Sequence, residues 1–187
     1  EPGIVGISTG AALMGLRPVV EMMTMSFSIL ALDQIINHAA KVRYMSGGQY
    51  TVPIVIRGPG GAANQLSAQH SHSMEGWYAH VPGLKVVVPS TPSDAYGMLK
   101  TAIRDDNPVI FTENPGLYAL KEAVPDDEFT VPFGQAAVRK EGTDISLIGY
   151  SRMARVCQEA AEVLEQEDGV KAEVVDVRSL LPLDTDT

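Results

Sequence analysis

The chain has 187 residues, of which 45% are apolar and 20% are charged, a balance typical of globular proteins. Its net charge of -9 argues against a surface that binds nucleic acid or an anionic membrane, because both would repel it. No apolar run approaches the roughly 20 residues of a membrane-spanning helix. A single cysteine, Cys157, favours a reducing compartment. The sequence begins at Glu1 without a methionine and stops just after a strand-like run, so we expect a fragment of a longer chain.

Helical and strand-like patterns alternate along the first part of the chain. They predict helices over residues 3–15, 27–45 and 74–80 and from 92 onward, and strands over 18–22, 52–57, 85–88 and 108–112. Thr91 is the predicted N-cap of the last of these helices. In the first helix, Gly3, Gly6 and Gly10 form a stripe of small residues, which favours tight packing in the core or between subunits. The alternation predicts an α/β fold, a mostly parallel sheet with helices on both faces.

Residues 114–143 are more polar, and their acidic stretch over 122–128 indicates a solvated loop. A second unit then begins, with a strand over 145–149, a helix over 153–166 and a strand over 173–177. A βαβ unit of about 35 residues is too small to be stable alone. We therefore predict a first domain over residues 1–135 and, over 136–187, a linker with the start of a second α/β domain.

General catalytic motifs identify no site in this sequence. The run Gly58-Pro59-Gly60-Gly61 follows a strand but lacks the spacing of a dinucleotide-binding loop, so it is a weak candidate for a phosphate cradle. His70 and His72 are too close for the helical zinc motif, and no cysteine cluster accompanies them. From residue types alone, the chain is an α/β protein with candidate histidine chemistry near His70 and His72.

Several longer segments resemble one family, the beta subunits of thiamine-diphosphate-dependent 2-oxo acid dehydrogenases of the pyruvate type. They are EPGIVGI (1–7), YMSGG (44–48), VPIVIRGPGG (52–61), AQHS (68–71), VPGLKVV (81–87) and AIRDDNP (102–108). The similarity covers the whole chain in order. It implies part of a transketolase-like pyrimidine-binding domain, followed by the first part of a transketolase-type C-terminal domain.

The resemblance also implies roles for three side chains. Glu1 matches the glutamate that hydrogen-bonds to the aminopyrimidine ring and favours its imino form, the base that activates thiamine. Phe27 matches the aromatic residue that lies against that ring. His70 matches an active-site histidine that donates a proton to the lipoyl dithiolane or orients the lipoyl arm. Taken without the resemblance, Glu1 is an ordinary solvated residue, and Phe27 and His70 are ordinary packing residues.

A monovalent-cation site, usually for potassium, is a further implication. The matching residues are Ile54, Ala102, Ile103, Asp105 and Asn107. Carbonyl oxygens at a helix C-terminus suit such an ion, although an ordinary helix end before Pro108 needs none.

The sequence contains no Gly-Asp-Gly…Asn motif for the magnesium that binds the cofactor's diphosphate. The resemblance implies that an alpha subunit carries this motif and that the partners are this alpha subunit, a second beta subunit and a lipoyl domain of the acyltransferase component. It also implies a bacterial cytoplasm or an organelle matrix. By itself, the chain is expected to be inactive.

Several readings stay open. Acetoin and branched-chain 2-oxo acid dehydrogenases share these motifs, and a non-catalytic assembly module would also carry them. A Rossmann-type nucleotide binder is disfavoured, because no glycine-rich turn opens a helix at the right place.

Overall fold

The computed structural model describes residues 1–62 and 65–187. In chain order the α-helices are α1 (Pro2–Leu13), α2 (Val42–Met45), α3 (Glu75–Ala79), α4 (Pro92–Arg104) and α5 (Arg152–Asp168). The strands are β1 (Val19–Glu21), β2 (Val55–Pro59), β3 (Lys85–Val87), β4 (Val109–Glu113), β5 (Ala137–Lys140), β6 (Ile145–Gly149), β7 (Ala172–Asp176) and β8 (Ser179–Leu181). Short 3-10 helices cover Met25–Ala31, Ala68–His70 and Pro115–Leu117, and Asp33–Ala39 forms a π-helix. Within the described ranges, none of the helices has both the length and the apolarity that a membrane crossing requires.

The larger sheet has the strand order β1-β2-β4-β3-β8, and its first four strands are parallel. Parallel neighbours need a crossover connection, and helical segments supply it here. Thr91 caps α4 as predicted, because its hydroxyl accepts a hydrogen bond from the Asp94 amide at 3.1 Å. The predicted α/β fold with a mostly parallel sheet is confirmed.

Helices cover both faces of this sheet, and strand alternation explains how. In β4, Ile110 faces one apolar cluster, whereas Val109 and Phe111 face the other. The first cluster includes Val5 of α1, and the second includes Met98 of α4. Every residue of β4 is buried, which a central strand covered on both faces requires.

Residues 27–45 do not form the single helix that their apolar pattern predicts, so that prediction is wrong. The segment instead contains a 3-10 helix, a π-helix and the short helix α2. Its serine hydroxyls form bonds outside a regular helix: Ser28 donates to the Met25 carbonyl at 2.6 Å and accepts from Tyr78 at 2.5 Å. These buried polar contacts outweigh the local helical preference.

The second unit forms a three-stranded sheet in the order β5-β7-β6. The predicted parallel βαβ unit is present as β6, α5 and β7. Strand β5 was not predicted, and it pairs antiparallel with β7. The core of this unit is small and centres on Ala161, Ala172 and Val174.

The two units are joined by backbone pairing and by buried charges. Strand β8 leaves the second unit and pairs antiparallel with β3 at the edge of the first sheet. Asp94 at the start of α4 binds Arg139 of β5 and, at 2.8 Å, Arg178. Asp176 of β7 accepts from Arg139 at 2.8 Å and from Ser90. We call Ser90, Asp94, Arg139, Asp176 and Arg178 the inter-unit network.

The glycine stripe of α1 is largely open. A Cβ atom built on Gly3 or Gly10 would meet no described atom within 4 Å, and one on Gly6 would lie 3.5 Å from Cγ of Gln34. Core packing therefore does not account for this stripe, and packing between subunits stays a prediction.

Candidate functional site

The carboxyl ends of β1 and β2 bring two of the predicted site residues together. The rings of Phe27 and His70 meet edge to face, with centroids 5.1 Å apart and planes at 75°. Both side chains are half-buried, so each keeps a surface available for a ligand. This contact joins two segments separated by about forty residues, which sequence reasoning connected only through the family resemblance.

Hydrogen bonds fix the backbone on both sides of Phe27. The Ser26 hydroxyl accepts from the His72 amide at 3.3 Å, and Ser28 accepts from Tyr78 as described above. Thr24 caps the segment by accepting from the Ser26 amide at 3.3 Å. The segment that carries Phe27 and the segment that carries His70 are therefore tied to each other, which sets the geometry of the ring pair.

Glu1 lies at the head of α1, and its carbonyl accepts from the Val5 amide at 3.0 Å. Its side chain makes no capping bond to the helix and is half-buried. Helix α1 packs against the segment Met25–Ala31 that contains Phe27. The fold thus brings the helix that Glu1 starts beside the Phe27–His70 pair, with the Glu1 carboxyl uncommitted to any cap.

The glycine run after β2 is not a phosphate cradle. The amides of Gly60 and Gly61 already donate to the carbonyls of Glu113 and His72, each at 2.8 Å. Gly58 has a different role, because a Cβ there would lie 2.5 Å from the Met22 carbonyl oxygen. The absence of a side chain at Gly58 lets β1 and β2 approach closely at the edge that carries the site.

A charged cluster at the same edge was missed from the sequence. Arg57 in the middle of β2 donates two hydrogen bonds to Glu113 of β4, at 2.6 and 2.7 Å, and one to Glu21 of β1 at 2.7 Å. Tyr118 donates to Glu113 at 2.7 Å, and burial together with the Glu113 charge raises the pKa of its hydroxyl. Burial lowers the pKa of Arg57, but the bond to Glu113 outweighs this and raises it overall. The signal in the sequence was a charged residue at the carboxyl end of each of the predicted strands 18–22, 52–57 and 108–112, or directly after it.

The predicted cation-site residues lie together at the opposite edge of the sheet. The Ile54 carbonyl accepts from the Val109 amide at 2.9 Å, which brings it beside the C-terminus of α4. Asp105 pairs with Lys85, and its side chain also accepts from the Asn107 amide at 2.9 Å. Burial of the Asp105 carboxyl is outweighed by Lys85, so its pKa is lowered.

Arg17 was not predicted at this cluster. Its guanidinium donates to the carbonyls of Ile103 and Asp105 at 3.1 and 3.0 Å and pairs with Asp106. Two of the predicted cation ligands are therefore already hydrogen-bonded to a guanidinium, although each carbonyl keeps a second lone pair. No group of three or more His, Cys, Asp or Glu residues suited to a metal ion occurs among residues 1–62 and 65–187.

Comparison with known proteins extends these observations. Residues 1–121 match the family model of the transketolase pyrimidine-binding domain, and residues 134–187 match that of the transketolase C-terminal domain. The fold resembles that of a solved split-gene transketolase, described as an inactive beta4 tetramer, with a TM-score of 0.81 at 24% identity. That similarity covers 98% of this chain and 56% of the solved chain.

Curated relatives at about 50% identity share one description, the beta subunit of the pyruvate dehydrogenase E1 component. The rice mitochondrial beta-2 protein is 52% identical over the whole chain, and the Rickettsia felis protein is 50% identical over the whole chain. The Caenorhabditis elegans mitochondrial protein is 53% identical over 98% of the chain. The matches cover 50%, 57% and 53% of these relatives, so the chain spans about half their length. The match to the transketolase pyrimidine-binding domain covers residues 1–121, which is well over half of the chain. The chain therefore belongs to the family of transketolase pyrimidine-binding domains.

Proposed function

We propose that this chain supplies the aminopyrimidine half of a thiamine diphosphate site in a dehydrogenase that decarboxylates pyruvate and passes the acyl group to a lipoyl domain. The observation that carries the proposal is the edge-to-face pair of Phe27 and His70 beside the helix that Glu1 begins. The names of the relatives, which are beta subunits of pyruvate dehydrogenase, support the choice of reaction.

The three side chains suit three different tasks in this site. Phe27 offers a half-exposed ring that would exclude water from one face of the aminopyrimidine. Glu1 would hold a proton between its carboxyl and a ring nitrogen. His70, which is in edge contact with Phe27, would donate a proton to a group that approaches the same face. When bound, thiamine diphosphate supplies the carbon nucleophile that attacks the 2-oxo acid.

The rest of the site would come from other chains. In this proposal an alpha subunit holds magnesium and the diphosphate, a second beta subunit completes a heterotetramer, and the lipoyl domain of the acyltransferase component receives the acyl group. A potassium ion would bind the carbonyl cluster formed by Ile54, Ala102, Ile103, Asp105 and Asn107. The complex would work in a bacterial cytoplasm or an organelle matrix, the settings that the names and sources of the relatives indicate.

The experiment is an assay of the full-length subunit with its alpha partner on pyruvate, acetoin and branched-chain 2-oxo acids. The proposal predicts the highest kcat/KM with pyruvate. A preference for acetoin or a branched-chain acid would reassign the substrate. No turnover of any of these substrates by a correctly assembled complex would support the non-catalytic assembly module instead.

A further inference from the structure

One guanidinium joins two adjacent strands of the larger sheet close to the candidate site. Arg57 of β2 donates from Nε and Nη2 to the two carboxylate oxygens of Glu113 in β4, at 2.6 and 2.7 Å. The planar fork of arginine makes this bidentate geometry, which a lysine cannot reproduce. The Glu113 side chain is 10% exposed and that of Arg57 is 28% exposed, so water competes little for these bonds.

The Arg57 side chain lies on the opposite face of the sheet from the segment that carries Phe27. Side chains alternate along a strand, so Arg57 points to the same face as Val55, which packs in the apolar cluster of α4. The segment 25–31 contributes to the other cluster, together with Ile56. Any effect of Arg57 on the ring pair therefore passes through the backbone, which would make it a positioning residue and not a catalytic one.

The backbone of β2 at and after Arg57 holds the segment that carries Phe27. The Arg57 carbonyl accepts from the Met22 amide at 2.8 Å. Further along β2, the Pro59 carbonyl accepts from the Thr24 hydroxyl at 3.3 Å. Thr24 is the N-cap of the 3-10 helix that contains Phe27, so the start of this helix is fixed to β2.

The backbone of Glu113 holds the segment that carries His70. The Glu113 carbonyl accepts from the Gly60 amide at 2.8 Å, and the next amide, that of Gly61, donates to the His72 carbonyl at 2.8 Å. The chain that leaves β2 is therefore fixed to the end of β4 on its way to the histidine. Both halves of the ring pair thus depend on backbone whose side chains form the bidentate pair.

Two further contacts complete the cluster around this pair. Glu21 accepts from Nη1 of Arg57 at 2.7 Å, but its side chain is 68% exposed, so this bond contributes little. Tyr118 donates to Glu113 at 2.7 Å and leaves both bonds to Arg57 in place. The bidentate pair is therefore the side-chain contact that holds β2 against β4 at this point.

We propose that the Arg57–Glu113 pair is a positioning element of the candidate site, which sets the edge-to-face contact of Phe27 and His70 through the backbone of β2 and β4. Loss of the bidentate geometry would let the two strands shift against each other, and the two rings would then separate or rotate. The effect on turnover rests on the proposed function, whereas the effect on the ring contact does not.

The first test is NMR of the isotope-labelled chain with Arg57→Lys, which keeps the charge but loses the planar fork. The ring protons of His70 are shifted by the ring current of Phe27, and Phe27→Leu gives their position without that ring. Arg57→Lys should move the His70 signals most of the way to the Phe27→Leu position. The control Arg155→Lys replaces an exposed arginine that pairs with Glu159, and it should leave the signals unchanged.

Glu113→Gln reaches the same contact from the other strand. If Arg57 acts through Glu113, the two single variants and the double variant should give similar His70 signals, because the second substitution removes no further contact. Unchanged His70 signals in folded Arg57→Lys and Glu113→Gln would overturn the proposal, and so would shifts that add up in the double variant. If Arg57→Lys fails to fold, the signals of Glu113→Gln decide.

The second test is kinetic and uses the full-length subunit with its alpha partner and saturating thiamine diphosphate. Arg57→Lys should lower kcat by about tenfold or more, because misplaced groups slow the reaction, with the KM for pyruvate unchanged. A general loss of folded complex would not change the pH profile or the KM of what remains, so kcat is taken per assembled complex. An unchanged kcat would contradict the positioning role. No turnover by the unmodified complex would refute the proposed function, and the NMR result would then decide the present inference alone.

Discussion

Removal of Asp94 should separate the two units energetically, because this carboxylate holds two arginines of the second unit. Its side chain is 5% exposed and binds Arg139 and Arg178, which are 20% and 11% exposed. Loss of one partner from a buried ion pair costs about 3–5 kcal/mol, since the other charge stays in a poorly hydrated place. We predict that Asp94→Ala destabilises the chain.

The structure sets this cost at the lower end of the range. After the substitution, Arg139 still binds Asp176 at 2.8 Å, and Arg178 still donates to the carbonyls of Gln135 and Ala136 at 2.9 and 3.0 Å. Neither guanidinium loses every partner. We therefore expect a loss of about 3 kcal/mol in the free energy of unfolding, which is roughly a 150-fold change in the unfolding equilibrium.

Urea unfolding followed by circular dichroism at pH 7 measures this loss. The matched control is Glu159→Ala, which removes an exposed carboxylate that pairs with Arg155 at 3.0 Å and should cost about 0.5 kcal/mol or less. Amide exchange should show the largest loss of protection in β5 and β8. A cost for Asp94→Ala no greater than that of the control would refute the reasoning that buried charges join the units.

Four further predictions follow from individual contacts. Burial raises the pKa of Glu75 in the folded chain, so the stability that the acid form contributes is lost as the pH rises. Glu75→Gln should therefore be more stable than the unmodified chain at high pH, and the difference should disappear on acidification. Parallel pH profiles of the two proteins in thermal unfolding would contradict this. Gly58→Ala should destabilise the chain by about 1–3 kcal/mol, because its Cβ would meet the Met22 carbonyl; unchanged urea unfolding would contradict the close approach. In the full-length complex, His70→Ala should impair transfer to the lipoyl domain more than decarboxylation, and equal losses with the lipoyl domain and an artificial electron acceptor would argue against that role. The present chain alone should bind thiamine diphosphate weakly. The Glu1 hydrogen bond contributes about 1 kcal/mol and the Phe27 contact a similar amount, which together do not offset an association cost of roughly 4 kcal/mol or more. Micromolar binding by calorimetry would reveal a diphosphate site in this chain.

The sequence predicted the fold class well where one local pattern determined the structure. The four parallel strands are short β-branched runs, and Thr91 with Pro92 gives a strong helix start, so their identification required no long-range information. Residues 27–45 show the limit, because their apolar pattern is helical but the bonds of Ser26 and Ser28 are to distant residues. No local pattern reports such partners.

The second unit shows a different limit. The helical pattern of α5 places Val156, Ala160, Val163 and Leu164 on one face, and of these Leu164 packs against the core. Val156 and Val163 are 39% and 50% exposed, whereas Ala154 and Ala161 are buried. The helix packs closely on its sheet through small residues, because a Cβ on Gly149 would lie 3.0 Å from the Ala154 amide nitrogen. Hydrophobicity alone ranks valine above alanine and therefore does not identify the buried positions of this helix.

The candidate site was identified through motifs, and its surroundings were not. Residue types alone suggested histidine chemistry near His70, but its contact with Phe27 depends on the three-dimensional structure. Arg17, Arg57 and Glu75 were missed because an isolated charged residue in sequence gives no indication of its partner or its burial. The pairing of β8 with the first sheet was missed for a similar reason, since three residues carry too little pattern to identify an edge strand.

The most direct test of the central proposal is Glu1→Gln in the full-length subunit, assembled with its alpha partner and thiamine diphosphate. The measurement is the rate at which the thiazolium carbon exchanges its proton with deuterated water, followed by NMR after an acid quench. If Glu1 supports activation of the cofactor, exchange should slow by about 100-fold or more, with assembly unchanged by size-exclusion chromatography and with Glu21→Gln exchanging normally. Unchanged exchange in a correctly assembled Glu1→Gln complex would contradict the claim that this chain supplies the activating half of the site.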